Sequence, residues 1–153
     1  MKEKFFGCPY PIVRDPRGLL RTQNGVQQIK SDLLVLLLTN PGERVMLPGF
    51  GTPLRKLMFE QNDETLIGLA RQMIIDSIRT WEPRVTVQQL EVGFADDDDD
   101  LNPNEEGAKE HILFIKIQFV DPENIKEVQV LTLEVPLAGN INLSIDQSAP
   151  VGG

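Results

Sequence analysis

Hydrophobic positions divide the chain into a helical first half and a strand-like second half. From Asn24, apolar side chains recur at Val26, Ile29, Leu33 and Leu37, steps of three and four that share one helical face. Leu34, Leu36 and Leu38 widen that stripe almost all the way round, so this helix must be buried on most sides. Asn24 suits its N-cap, and Thr39-Asn40-Pro41-Gly42 stops it. A turn-rich stretch follows over 43–53, with room for at most one short strand pair, and then a short helix over 54–59. The clearest helix spans 63–81, with Leu66, Leu69/Ala70, Met73/Ile74, Ser77/Ile78 and Trp81 as its core stripe. Glu64, Arg71, Asp76 and Arg79 fall mostly off that stripe. Pro83 ends the helix, because the residue before a proline is pushed out of the α region. Trp81 is predicted to anchor the core; its truncation to Ala would then cost about 3–5 kcal/mol.

Beyond Pro83 the period changes to two. In the strand predicted over 84–92, Val85 and Val87 share one face while Leu90 and Val92 fall on the other. That parity switch predicts a bulge or burial on both faces. Over 111–120 the odd positions Leu113, Ile115, Ile117 and Phe119 form a clean inward face. Asp121-Pro122-Glu123-Asn124 is a turn, and 125–135 returns as a third strand. The predicted fold is α+β: an N-terminal arm and helices followed by a three-stranded antiparallel sheet. Residues 1–23, rich in Pro, Gly and Arg, read as an extended arm rather than a packed element, and 24–135 as a single domain. The remainder, 136–153, reads as an extended tail in which Ile141, Leu143 and Ile145 alternate as an added edge strand would.

Composition narrows the function. With 153 residues and 41% hydrophobic content the chain can build one core. No apolar run approaches the roughly 18 residues of a membrane span. Pro9 and Pro11 interrupt any signal-like segment at the start, so the expectation is a protein made in a cytoplasm, with no membrane partner. The net charge of −8 is concentrated: residues 91–110 hold nine acids and one base, and the rest of the chain balances. No basic stripe exists, so nucleic acid is not an expected partner. Asp96 to Asp100 lack the spaced oxygen ligands, glycine and terminal glutamate of a calcium loop, and read as a solvated hairpin loop. Cys8 and His111 are the sole cysteine and histidine, which leaves a thiol catalyst or a zinc site without support. Pro48-Gly49-Phe50-Gly51 lacks the order of a phosphate loop and reads as a tight turn letting backbone pass close to the core. No cofactor is expected.

Glu82-Pro83-Arg84 is the most informative short motif. Read as extended backbone braced by Pro83, it presents Glu82 and Arg84 on one side, an acceptor beside a planar five-donor fork. Two readings stay open from these residues alone: an internal ion pair closing the helix–strand corner, or a charged clasp for a partner chain. A glycosidase would need a second carboxylate at a set distance from Glu82, and the sequence nominates none.

Three blocks in order, Gly42-Glu43-Arg44-Val45-Met46-Leu47-Pro48-Gly49-Phe50-Gly51, then residues 54–60, then Trp81-Glu82-Pro83-Arg84-Val85, resemble the baseplate wedge, or sheath-initiator, family of contractile phage tails, whose relatives serve type VI secretion baseplates. The likeness covers roughly 24–135. It implies a non-enzymatic structural subunit of the virion tail baseplate, assembled in the host cytoplasm. Such a subunit joins the helical core bundle of the wedge proteins to the first ring of tail sheath, with the tail tube as a further candidate contact. In that family the Glu-Pro-Arg element contacts the wedge bundle, a role that carries over to Glu82, Pro83 and Arg84. The family's sheet resembles the strand-sharing domain of the sheath, which implies added strands as the mode of sheath contact. Some members carry a lysozyme-like label, so a peptidoglycan hydrolase is one alternative, and a regulatory adaptor on the same fold is another. The acidic stretch 95–110 and the end of the chain depart from the family pattern, and Ile141, Leu143 and Ile145 would suit a sheath-facing strand.

Overall fold

The computed structural model describes residues 6–60, 63–94, 112–121 and 124–136. The acidic stretch, His111 and the alternating Ile141, Leu143 and Ile145 lie outside the described residues. The order of elements is β1 (Phe6–Gly7), β2 (Gln23–Asn24), α1 (Gly25–Leu38), a 3-10 helix (Leu54–Phe59), α2 (Glu64–Trp81), β3 (Thr86–Phe94), β4 (Ile112–Asp121) and β5 (Asn124–Pro136). The fold is α+β: a two-stranded sheet β1-β2, then the helices, then an antiparallel sheet of order β3-β4-β5.

The N-terminal segment is not simply extended. β1 pairs antiparallel with β2, so residues 6–24 turn back on themselves, and Arg14 bridges to Leu20. The Asp15 carboxylate holds the turn by accepting from the Arg17 and Leu19 amides at 2.9 and 2.8 Å, and Gly18 takes a positive φ of 82°. The Tyr10 amide donates to the Ser31 hydroxyl at 3.2 Å, and the Tyr10 ring packs on the core. Proline and glycine there set a reversal, which composition alone did not distinguish from an arm.

Asn24 occupies the cap position of α1 without a side-chain capping bond. Its backbone pairs with Phe6 in β1 instead. Ile29, Leu33, Leu34, Leu36 and Leu37 are buried, as the wide apolar stripe requires. After α1 the chain passes close to the core at Gly51, where φ is 120° and a Cβ would overlap the Thr39 carbonyl. The Thr52 amide donates to Thr39 O at 2.8 Å, and the Ser77 hydroxyl donates to Gly51 O at 3.2 Å. These bonds seat the glycine turn between the two helices.

Asp63 caps α2 by accepting from the Leu66 amide at 3.0 Å. The buried face of α2 is Leu66, Ala70, Ile74, Ser77 and Ile78. Leu69 falls outside it, 42% exposed, because one residue rotates the helix by about 100° and Ala70 takes the inward position. Trp81 is also less buried than predicted. It packs against the core edge, T-shaped on Phe50 with ring centroids 5.4 Å apart, and the Arg44 guanidinium covers the other ring of that pair at 4.6 Å.

The parity switch in β3 is a bulge. Val87 pairs with Phe119 and Gln89 with Gln118, so two residues advance on β3 for one on β4. Leu90 then lies opposite Ile117 and Val92 opposite Ile115, which returns both to the face of Val87. On β4, Leu113, Ile115, Ile117 and Phe119 are all fully buried. Leu131, Leu133 and Val135 of β5 complete that layer. Both helices contact the sheet or each other, and the core lies between.

Candidate docking corner

The helix–strand corner is built from α2, a proline and β3. Glu82 is the C-cap of α2, its amide donating to Ile78 O at 2.8 Å. The Val85 amide donates back to Glu82 O at 3.1 Å. Residues 82–85 therefore form a β-turn with Pro83 at its second position, where a proline's fixed φ is favoured. This corrects the extended backbone read from the sequence. Glu82 and Arg84 do meet, but across a turn.

Arg84 Nε donates to Glu82 Oε1, and its terminal Nη2 donates to Asp32 Oδ2 at 2.9 Å. Asp32 comes from α1, and its Oδ1 accepts from Gln28 Nε2 at 2.7 Å. One guanidinium thus joins the end of α2 to the middle of α1. Glu82 is buried, with its side chain 8% exposed, while the Arg84 and Asp32 side chains keep about a third of their surface, 32% and 31%. Pro83 is exposed at the tip of the turn. The hydrogen bond to Glu82, followed by that to Asp32, raises the Arg84 pKa above its ordinary value against the opposing effect of burial. Among the described residues the cluster brings the two acids Glu82 and Asp32 to Arg84.

Asp32 and Gln28 were absent from the sequence-derived site. A signal existed: in a helix apolar almost all round, Gln28 and Asp32 stand one turn apart at i and i+4. With Asp32 present the corner holds two carboxylates, yet both bind the same guanidinium, and Glu82 is closed off from solvent. A glycosidase needs its carboxylates on either side of an open scissile bond.

Among the described residues no group of three or more His, Cys, Asp or Glu could hold a metal ion, and no helix is long and apolar enough to cross a membrane. Cys8 is exposed. A cleft of about 510 Å³ opens between the N-terminal reversal, α1 and β5, lined among others by Tyr10, Arg21, Lys30 and Val130; none of the clasp residues borders it.

The chain resembles known proteins in sequence and in structure. The family described as "Baseplate wedge protein gp25" matches residues 23–118, which takes in α1, the glycine turn, α2, the corner, β3 and most of β4. A chain of the anti-feeding prophage baseplate superposes with a TM-score of 0.61 at 23% identity, over 75% of this chain and 83% of that one. A provisionally assigned tail lysozyme from Geobacter sulfurreducens superposes with a TM-score of 0.57 at 25% identity, over 74% of this chain and 91% of that one. Among curated proteins no sequence matches. The match spans more than half of the chain: the protein belongs to the baseplate wedge gp25 family, structural components of the tail baseplate.

Proposed function

We propose that this subunit is a non-enzymatic sheath initiator: its corner docks on the helical core bundle of the wedge proteins, and its sheet offers edges to the first ring of tail sheath. The observation that carries the reading is the Glu82–Arg84–Asp32 clasp, held by two helices and displayed on an exposed proline turn. A planar guanidinium already oriented by two carboxylates presents its remaining surface in one geometry, so a partner helix meets a prepared contact. The buried Glu82 lends no support to a lysozyme-like activity.

The sheet order leaves one edge of β3 and one edge of β5 unpaired among the described residues, and strand addition at such an edge is the mode of sheath contact in this reading. Residues 24–135 are the wedge domain in this account. Ile141, Leu143 and Ile145 in the tail beyond supply a sheath-facing strand, and the tail tube is a further contact. Assembly takes place in the host cytoplasm. The test is sheath assembly on baseplates lacking this chain. The reading expects baseplates that carry no sheath, and normal sheaths of normal length would refute it.

A further inference from the structure

We propose that Gln28, together with strand β1 that covers it, is a positioning element of the clasp, so that the seating of the N-terminal strand sets the orientation of Arg84. The inference rests on the reading of the clasp as a docking site and extends it to the residues behind it.

Gln28 is an unusual occupant of its place. It is 6% exposed beside the buried Ser31 and Ile29, and its Oε1 is buried with no hydrogen-bond partner among the described residues. An unpaired buried carbonyl is a cost that a leucine at this position would avoid. What the amide gives in return is its Nε2–H bond to Asp32 Oδ1, at 2.7 Å. Asp32 then meets Arg84 through its other oxygen, Oδ2. Each oxygen of one carboxylate therefore has one defined partner, and the carboxylate plane is fixed by Gln28 on one side and Arg84 on the other.

β1 completes the arrangement. Gly7 lies directly over the Gln28 amide, so close that a Cβ there would overlap both its nitrogen and its carbonyl carbon. Gly7 is held in that position by its pairing with Gln23 in β2. A contiguous series of contacts therefore runs from Gly7 through Gln28 and Asp32 to Arg84 and Glu82. Any side chain at position 7 would have to displace the Gln28 amide from this place.

The experiment is a double-mutant cycle between Gly7→Ala and Gln28→Ala, with Arg84→Lys as the reference variant. Binding to the purified wedge-bundle proteins of the same tail is measured for each, together with hydrogen exchange of the Arg84 Nε–H by 15N NMR on the chain alone. Gly7→Ala displaces the amide and Gln28→Ala removes it. Each single variant should weaken binding by roughly two- to tenfold, the effect of one hydrogen bond, and should speed Nε–H exchange. In the Gln28→Ala background, Gly7→Ala should add nothing, because no amide remains to displace. Additive effects, or single variants that bind and exchange like the parent while Arg84→Lys loses binding, overturn the inference and leave the docking reading intact. Arg84→Lys binding as tightly as the parent overturns both. A Gly7→Ala chain that fails to fold while the double variant folds supports the steric link, and the Gln28→Ala comparison then decides the binding claim.

Discussion

Arg84 donates to Asp32 at 2.9 Å across 52 positions of sequence, and so ties the corner after α2 to the middle of α1. The same guanidinium holds Glu82, which closes α2. The motif Glu-Pro-Arg is therefore two-thirds of a larger unit, and the missing third comes from another helix.

The two ion pairs should differ in their effect on stability. Asp32 and Arg84 are each about a third exposed, so Asp32→Asn should cost less than about 1 kcal/mol. Arg84→Ala also leaves the buried Glu82 carboxylate without that guanidinium, and should cost about 1–3 kcal/mol. Urea unfolding of the two variants ranks them, and an equal or reversed order would contradict the geometry.

Lys30 sits beside the N-terminal cleft, and burial holds its ammonium below the ordinary lysine value of 10.5. In the window just under 10.5 the unfolded chain binds more protons than the folded one, so this residue makes stability rise with pH there. Lys30→Met should raise the Tm at neutral pH and flatten that rise. A lower Tm at pH 7 would mean the ammonium is stabilising.

Glu43 accepts from the Asn40 side chain and amide, which hold its carboxyl below the ordinary value of 4.5. A depressed carboxyl contributes stability that is present above that value and is lost as pH falls through the lower folded one. Acid titration below 4.5 should shift the Asn40 amide signal before the sheet unfolds, and Glu43→Gln should remove that early step.

Gln88 is the extra residue of the β3 bulge. Its deletion keeps Val87 opposite Phe119 and Leu90 opposite Ile117 in a regular ladder, so the shortened chain should fold. By contrast Phe119→Ala empties a fully buried site and should cost about 3–5 kcal/mol, while Trp81→Ala at the core edge should cost less than that. Thermal unfolding of all three distinguishes these outcomes.

The sequence made most of the fold legible because its signals are periodic. Most of the stripe of α2, the odd positions of β4 and the parity switch of β3 map on the observed burial and register, with Leu69 and Trp81 as the exceptions. What escaped was local or long-range. The Glu82–Val85 turn is one hydrogen bond, which Pro83 permits but does not announce. The folding back of residues 6–24 depends on Asp15 and Gly18 acting together. Asp32 joins the clasp through a contact across 52 positions, between α1 and the corner after α2, which no local spacing in the chain brings together.

A density map of the assembled tail, resolved well enough to place side chains, tests the central claim most directly. The account predicts the turn at Pro83, with Arg84 beside it, within about 4 Å of a helix of the wedge core bundle. A corner facing solvent, with another surface of this subunit against the bundle, would contradict it.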